Sequence, residues 1–259
     1  MSTSLRSPSP KTRRVTFTAE SVRAIQADHK DVTRRLLAAQ PEAVEGGRWS
    51  WCVSSTDRRD CGLAFYRAPD PQGRVFTDRG RERDIAQVRC PYGEPGDRLV
   101  AREAWRPEEL EGIGKGIRYA ADGVFMPVAG EHEAAWEKLL CDAKGKRLST
   151  TAWRSPLYLP AWASRIHLDV VRIRIERLHD IDEADALREG VQPWTKDGTL
   201  HKFAWADHEG DGPCWPWVDC PRTARHAYAK AWDEINAKHG APWIANPWVF
   251  RVEFARVKP

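Results

Sequence analysis

The sequence contains no long hydrophobic run. None of its 259 residues lies in an apolar stretch of the roughly 20 residues that a membrane-spanning helix needs. Residues 1–14 are mostly Ser, Pro and basic residues and lack the apolar segment of a secretion signal. These two absences predict a cytoplasmic protein with no membrane partner.

The motifs of several common enzyme classes are also absent. Residues 112–116, Gly-Ile-Gly-Lys-Gly, lack the strand-to-helix setting of a phosphate-binding loop. The chain has neither a G-x-S-x-G turn nor an H-E-x-x-H pair. These absences argue against the ATPase, dehydrogenase, α/β-hydrolase and metalloprotease classes.

Cysteine is sparse, and its spacing does not suit a metal site. The six cysteines stand at positions 52, 61, 90, 141, 214 and 220. None of them forms the closely spaced pair that zinc sites prefer. A chain of this length without an export signal is expected to keep its thiols reduced. We therefore predict no metal and no cofactor.

The chain has no strong excess of one charge. Lys and Arg number 41 and Asp and Glu number 37, which gives a net charge of +4. Residues 1–40 hold eight basic and three acidic side chains, so this segment accounts for the whole excess. A local basic segment suits a phosphate-bearing partner, and a solvated basic tail explains the same charge equally well.

Periodic patterns predict a small set of helices and strands. Apolar residues at helical spacing, with capping residues before them and Gly or Pro after them, predict helices. Alternating apolar residues predict strands. The predicted helices cover 18–27, 180–190 and 223–239, and the predicted strands cover 30–37, 99–105, 165–178 and 248–254. The apolar parity of the third strand changes between Val170 and Val171, which predicts a β-bulge.

Three long segments rich in Gly, Pro and charge separate these elements: 41–86, 126–149 and 192–221. We interpret them as insertions into a single domain of residues 13–259, which follows a flexible basic tail at 1–12. Short strands of mixed spacing with few helices indicate an α+β fold built on a small, partly closed sheet.

Glu103 is the most informative residue of strand 99–105. Alternation puts it on the same face as Trp105, so its carboxylate is expected to be buried. A buried carboxylate needs a cation or several hydrogen-bond donors, and the sequence offers Lys30 and Arg34. A structural ion pair is the alternative to a functional site.

Two blocks of the sequence resemble signatures of the ASCH-domain family. Residues 29–35, HKDVTRR, are similar to G-x-K-x-x-T-R-R, although His29 departs from the usual residues before the lysine. Residues 95–105, PGDRLVAREAW, resemble P-G-D-x-L…R-E-x-W. Further short blocks that resemble the phage and prophage branch begin at Cys90, Trp153, Pro160 and Asn246. Together the blocks extend from about residue 13 to residue 257.

The resemblance implies a PUA-like small β-barrel with flanking helices and long loop insertions, a fold used to bind RNA or modified nucleobases. A phage-encoded member would act in the host cytoplasm. Some bacterial relatives are amidohydrolases that remove the acetyl group from N4-acetylcytidine. They use a lysine, a threonine three residues later and a glutamate on the next core strand, and Lys30, Thr33 and Glu103 stand at the matching positions. These three are the predicted catalytic residues.

The three residue types suit this chemistry. Glu103 can accept hydrogen bonds from the exocyclic amino group of a cytosine-like base, and Lys30 can bind a carbonyl, a phosphate or a developing oxyanion. Thr33 becomes a nucleophile when a base removes its proton, and a neutral Lys30 can act as that base. Burial lowers the pKa of a lysine and a nearby carboxylate raises it, so the sequence alone leaves this balance open.

Arginines and tryptophans are further candidates for ligand contact. Thirteen tryptophans are far above ordinary usage, and Trp stacks on nucleobases at roughly 1–3 kcal/mol each. Packing is the alternative, and the pattern favours packing for Trp105. On strand 30–37, alternation predicts that one of two neighbouring arginines faces the pocket and the other faces solvent. The candidate ligand-binding residues are Arg34, Arg35, Arg102, Trp105, Trp215 and Trp217.

Three functions remain open at this stage. The first hypothesis is a binding module for RNA, single-stranded nucleic acid or a modified nucleoside. The second is an enzyme that hydrolyses N4-acylcytidine or a related modified base. The third and weakest is a nuclease, and nothing in the sequence identifies a protein partner.

Overall fold

The computed structural model describes residues 10–38, 40, 90–141, 145–146, 149–207 and 212–258, together with the backbone of three strands within 48–88. Most of the predicted tail and most of the insertion at 41–86 lie outside the described residues. The helices are α1 (Ala19–Gln26), α2 (Glu133–Leu139), α3 (Glu183–Arg188) and α4 (Ala224–Asn236). The strands are β1 (Thr12–Thr16), β2 (Val32–Leu36), β3 (Arg48–Cys52), β4 (Gly62–Tyr66), β5 (Asp84–Val88), β6 (Arg98–Arg102), β7 (Trp105–Leu110), β8 (Gly114–Tyr119), β9 (Phe125–Pro127), β10 (His167–Arg177), β11 (Gln192–Thr195), β12 (His201–Ala204) and β13 (Trp248–Arg256).

Capping side chains define where the helices start. The hydroxyl of Thr18 accepts a hydrogen bond from the backbone N–H of Ser21 before α1, and Thr223 does the same for His226 before α4. Such caps satisfy backbone donors that have no partner inside the helix. The three helices predicted from periodicity are confirmed as α1, α3 and α4.

The central sheet has five strands in the order β1-β6-β10-β13-β2. Strands β1 and β6 run parallel, and the other neighbouring pairs are antiparallel. The long strand β10 changes register between Val170 and Arg172, which confirms the predicted bulge. Strand β2 lies at an edge of the sheet.

The strand predicted at 99–105 is divided into two. Strand β6 ends at Arg102, and β7 begins at Trp105 in a separate three-stranded sheet with β8 and β9. The alternation of apolar residues continues in the sequence from β6 into β7, but the hydrogen-bond partners change between them. Trp105 pairs with Arg154 and Tyr119 and not with the central sheet. Glu103 therefore lies at the junction between two sheets.

The described residues form an α+β fold, as predicted, with four separate sheets and none closed into a barrel. One core lies against the central sheet and includes the alternate residues Phe250, Val252 and Phe254 of β13, with Trp248 packed at its margin. A second core lies between α3, α4 and the segment after β12.

Two of the predicted insertions contain regular structure. The segment 126–149 contains α2, whose Trp136 is buried against β7 and β8, and the segment 192–221 contains the hairpin β11-β12. The high Gly and Pro content of these segments predicted loops. The short elements within them are stabilised by tertiary contacts and show no local periodicity in the sequence. Within the described ranges, no helix has both the length and the apolar character needed to cross a bilayer.

Candidate functional site

A partly open cavity lies between strand β2, the start of α1 and helix α4. Its volume is about 120 Å³. The predicted residues Lys30, Thr33, Arg34 and Arg35 all line it, together with Glu189. The structure therefore brings together four residues of the segment 29–35 and adds the carboxylate of Glu189, which follows α3.

The turn after α1 places Lys30 at this cavity. Asp28 adopts a left-handed backbone conformation with φ 58°, and the N–H groups of His29 and Lys30 both donate to the carbonyl of Ala24. Asp tolerates this conformation better than most residues. The backbone of Lys30 then forms an isolated antiparallel bridge with Glu189. The relative position of these two residues is thus fixed by the main chain as well as by their side chains.

The ammonium group of Lys30 is buried against a single carboxylate. Lys30 is 5% exposed, and its Nζ donates to Oε2 of Glu189 at 2.5 Å and to the carbonyl oxygen of the same residue at 2.8 Å. Burial lowers the pKa of Lys30 from its ordinary value of 10.5, and the carboxylate of Glu189 opposes this shift without cancelling it. Burial therefore decides the balance that the sequence left open.

Glu189 was not among the residues predicted from the sequence. It is 2% exposed and caps the C-terminus of α3, directly before Gly190. A carboxylate at this end of a helix meets the negative end of the helix dipole, so a buried acid there requires cations from other elements. Lys30 and Arg34 are those cations. The sequence feature that could have indicated Glu189 is an acidic residue immediately before the glycine that ends a helix.

Arg34 supports Glu189 from its other side. Its side chain has no exposed surface, and Nη1 lies 3.3 Å from Oε1 of Glu189. The same guanidinium bonds to Glu176 at 2.8 Å and to Asp185. Surrounded by three carboxylates, Arg34 orients the acid beside Lys30 and has little capacity left for a ligand phosphate.

Thr33 and Arg35 complete the polar wall. Thr33 is 4% exposed, and Arg35 is half-buried, with Nη2 donating to the carbonyl of Thr16 at 2.6 Å and its guanidinium 4.9 Å from the ring of Phe17. Arg34 and Arg35 both contribute to the cavity wall. The predicted division, with one arginine at the pocket and the other in solvent, is therefore wrong, because Thr16 and Phe17 hold the Arg35 guanidinium at the protein surface beside the cavity.

Aromatic rings form the opposite wall. Trp205, Tyr228 and Trp232 line the cavity and are all buried. The indole N–H of Trp205 has no hydrogen-bond partner among the described residues. Flat apolar rings opposite hydrogen-bonding groups suit a planar heterocycle, which needs stacking surface and polar contacts at its edge.

The predicted tryptophan pair after the β11-β12 hairpin is divided between two settings. Trp215 packs edge-to-face on Trp205 and lines a second cavity of about 240 Å³, which shares Thr18 and Trp205 with the first. Trp217 lines neither of these cavities and lies 5.3 Å from the Nζ of Lys202. Of the two, Trp215 alone lies next to the Lys30 site.

Glu103 does not line the cavity, and its predicted partners are wrong. Its carboxylate bonds to Arg165, with both contacts at 2.8 Å, and Arg165 also pairs with Asp122 at 2.7 Å. Burial raises the pKa of Glu103 above its ordinary value, and the hydrogen bonds from Arg165 oppose this. The cause is the break after β6, which directs the chain to the next sheet and to Arg165 instead of Lys30.

Two other predicted ligand residues lie outside the cavity. Trp105 is fully buried with Ile117 and Tyr119 in a third core, which agrees with the packing alternative. Arg102 is half-buried on the outward side of β6, where Nη1 donates to the carbonyl of Leu157.

The described part of the chain contains no cluster of side chains that could bind a metal ion. Among those residues the cysteines at 90, 141, 214 and 220 are free thiols, and no group of three His, Cys, Asp or Glu side chains is arranged to hold an ion. Burial raises the pKa of the Cys90 thiol to about 12 and that of Cys214 to about 11, which makes them poor nucleophiles near neutral pH.

Comparison with known proteins provides no relative from which to transfer a function: no protein-family model, no curated protein and no solved structure matches the chain.

Proposed function

We propose that this protein binds a modified cytosine nucleoside or nucleobase in the Lys30 cavity and hydrolyses an acyl group from its N4 amide. The observation that carries the proposal is the buried Lys30 with its lowered pKa, held by Glu189 in a cavity that also contains the Thr33 hydroxyl. The likeness of residues 29–35 to the ASCH signature supports the same chemistry. The proposal includes a PUA-like arrangement built around the five-stranded sheet.

The proposed reaction has two stages, transfer of the acyl group to Thr33 and hydrolysis of the resulting ester. The Thr33 hydroxyl oxygen attacks the acyl carbonyl while neutral Lys30 accepts the hydroxyl proton. The C–N bond then breaks, and Lys30 returns the proton to the departing exocyclic nitrogen, which leaves an acyl ester on Thr33. Water, with Lys30 again as base, releases the carboxylic acid and restores the hydroxyl. Glu189 and Arg34 hold Lys30 in place through these steps.

The test is a direct assay of N4-acetylcytidine hydrolysis. Purified protein is incubated with the nucleoside, and the products cytidine and acetate are separated and quantified. We expect turnover, and we expect Thr33→Val to lower kcat by at least about 100-fold, since general-base activation of a nucleophile contributes roughly 10²- to 10⁴-fold. The valine variant keeps the shape of the side chain and removes only the hydroxyl.

Glu103→Gln is the matched control. Glu103 is as buried as Glu189 but bonds to Arg165, so we expect this variant, when folded, to keep a rate within about threefold of the wild type. Full activity in Thr33→Val, or loss confined to Glu103→Gln, would contradict the proposal.

Binding without turnover is the second candidate function. It is favoured by the two contacts that already hold the Lys30 ammonium, at 2.5 and 2.8 Å, because a lysine tied to two acceptors is restricted in moving protons. Saturable binding of N4-acetylcytidine or of RNA, abolished by cavity substitutions and without product formation, would support it. No group in the described residues specifically favours a nuclease, which stays a prediction from the resemblance.

A further inference from the structure

A second polar surface lies on the outward side of β1 and β6. Val15, Leu99 and Ala101 point into the core, so alternation directs Arg14 and Arg102 outward. Arg14 is exposed and Arg102 is half-buried. In the part of the chain that the structure describes, neither has a carboxylate partner, and the one hydrogen bond of Arg102 goes to a backbone carbonyl.

The two arginines are neighbours across the parallel strand pair. Arg14 lies opposite Val100 and Thr16 lies opposite Arg102, which makes the arginines diagonal neighbours on one face. Burial, and then the positive charge of Arg14, lower the pKa of Arg102. Two adjacent cations without a counter-ion form a site for an anion.

Exposed aromatic and aliphatic side chains border these cations. The bond from Arg102 to the carbonyl of Leu157 brings residues 157–158 against β6. Leu157 is 63% exposed and Tyr158 is 72% exposed. Large exposed apolar groups of this kind mark interaction surfaces.

We propose that this surface, which we call the arginine–aromatic face and define as Arg14, Arg102, Leu157 and Tyr158, binds single-stranded nucleic acid. The arginines contact backbone phosphates, and the ring of Tyr158 stacks on an unpaired base. An acidic protein segment would use the arginines but would gain less from exposed aromatic planes. The face shares no residue with the Lys30 cavity, so the inference does not depend on the proposed hydrolysis.

Fluorescence anisotropy with a labelled 12-nucleotide single strand, as RNA and as DNA, tests the proposal across a salt series. We expect binding that weakens with salt, and we expect the double variant Arg14→Gln/Arg102→Gln to lower affinity at least about tenfold and to reduce the slope of log K against log salt by about 1.4, since each phosphate contact on a single strand contributes about 0.7. Tyr158→Ala should lower affinity by about fivefold or more without changing that slope.

Arg98→Gln is the matched control. Arg98 lies on the same strand and faces the same way, but it is already paired with Asp169 at 2.9 Å. Its loss changes the net charge by one, and we expect affinity to stay within twofold of the wild type. Circular dichroism of every variant establishes that it is folded.

Several outcomes would overturn the inference. These are no binding of either strand at low salt, equal losses in Arg98→Gln and Arg102→Gln, or competition by polyglutamate as strong as by unlabelled RNA, which would assign the face to an acidic protein. Loss of binding in Thr33→Val with none in the surface variants would place the nucleic acid in the cavity instead.

Discussion

At the scale of single residues, the site depends on the competition between burial and charge at Lys30. Removal from water disfavours the ammonium, and the carboxylate of Glu189 favours it, with burial the larger effect. The acid that matters for Lys30 is therefore the one that α3 provides. Glu103, equally buried, is neutralised by Arg165 and belongs to the structural ion pair that the sequence left as an alternative.

Replacing Glu189 with Gln should move the titration of Lys30 to lower pH. The folded-state pKa of Lys30 already lies below 10.5, and Glu189 is the main group that raises it. Its loss should therefore lower the titration midpoint by about 1 to 3 pH units, the range expected for an adjacent opposite charge. NMR of the Lys30 side chain measures this midpoint without any assumption about activity.

Glu176→Gln is the comparison variant for this titration. Glu176 bonds to Arg34 and Arg174 and not to Lys30, so we expect a much smaller change in the midpoint. An unchanged or raised midpoint in Glu189→Gln would show that the carboxylate does not control the lysine. If Lys30 is the base, the acid limb of the hydrolysis rate should move in the same direction.

Arg165→Met should destabilise the fold. The substitution leaves the carboxylates of Glu103 and Asp122 without their shared cation, and removing one partner of a buried ion pair costs about 3–5 kcal/mol. Urea unfolding at pH 7 measures the loss. Arg98→Met, which breaks the exposed pair with Asp169, should cost no more than about 1 kcal/mol. Similar losses in both variants would contradict a structural role for the Glu103 pair.

At the scale of elements, the end of α3 determines where Glu189 points. Gly190 has φ +101°, a conformation that L side chains rarely adopt. A Cβ there would lie 2.7 Å from the Cβ of Ala24 and 3.1 Å from Nε1 of Trp205. The glycine therefore allows α1, α3 and the Trp205 segment to meet closely behind Lys30.

Gly190→Ala should reduce both stability and function. Strain at positive φ and overpacking against Ala24 together predict a loss of about 2–4 kcal/mol in the free energy of unfolding. Ligand affinity or turnover should fall with it, because Glu189 is the preceding residue. Thermal unfolding and the nucleoside assay measure the two effects.

Gly198→Ala is the control for Gly190→Ala, because it introduces backbone strain without overpacking. Gly198 also has positive φ, at +78°, but nothing lies within 4 Å of its Cβ position. We expect it to lose about 1 kcal/mol from strain alone and to retain function. Equal effects in the two variants would mean that the close approach behind Lys30 is unimportant.

At the scale of the whole molecule, a buried charge network joins elements that are distant in sequence. Asp185 of α3 pairs with Arg34 of β2 and with Arg251 of β13 at 2.7 Å, and Arg34 also bonds to Glu176 of β10. These bonds connect α3 to three strands of the central sheet. They fix the helix that provides Glu189 over the strand that provides Thr33.

Asp185→Asn should destabilise the protein at neutral pH and not in strong acid. The folded-state pKa of Asp185 is lowered to about 2 from 3.8, by hydrogen bonds and charges of Arg251 and Arg34 acting against burial. Its contribution is therefore present above about pH 4 and is lost as pH falls toward 2. We expect a loss of about 1.5–3 kcal/mol at pH 7, typical of a charged hydrogen bond.

The difference in stability between wild type and Asp185→Asn should therefore shrink as the pH falls. The urea unfolding midpoints of both proteins at pH 7 and near pH 2.5 measure this change. Asp169→Asn, at an exposed ion pair, should differ little from the wild type at either pH. A constant difference between Asp185→Asn and wild type across the pH range would show that Asp185 keeps its ordinary pKa in the folded protein.

The sequence by itself determined the elements whose signals are local. Helical periodicity in 18–27 and 223–239, the parity change at Val170 and the alternation of 248–254 predicted helices, a bulge and a strand correctly, because each depends on neighbours along the chain. The same local alternation predicted that Glu103 would be buried, and it is 3% exposed.

The tertiary structure decided which buried charges meet. Glu189 is 159 residues from Lys30 and Arg165 is 62 residues from Glu103, and no periodic pattern connects positions so far apart. A buried charge must find an opposite charge, but the sequence offers many candidates of each sign. The break between β6 and β7 and the close packing at Gly190 determine which charges pair, because they set the backbone positions from which the side chains reach their partners.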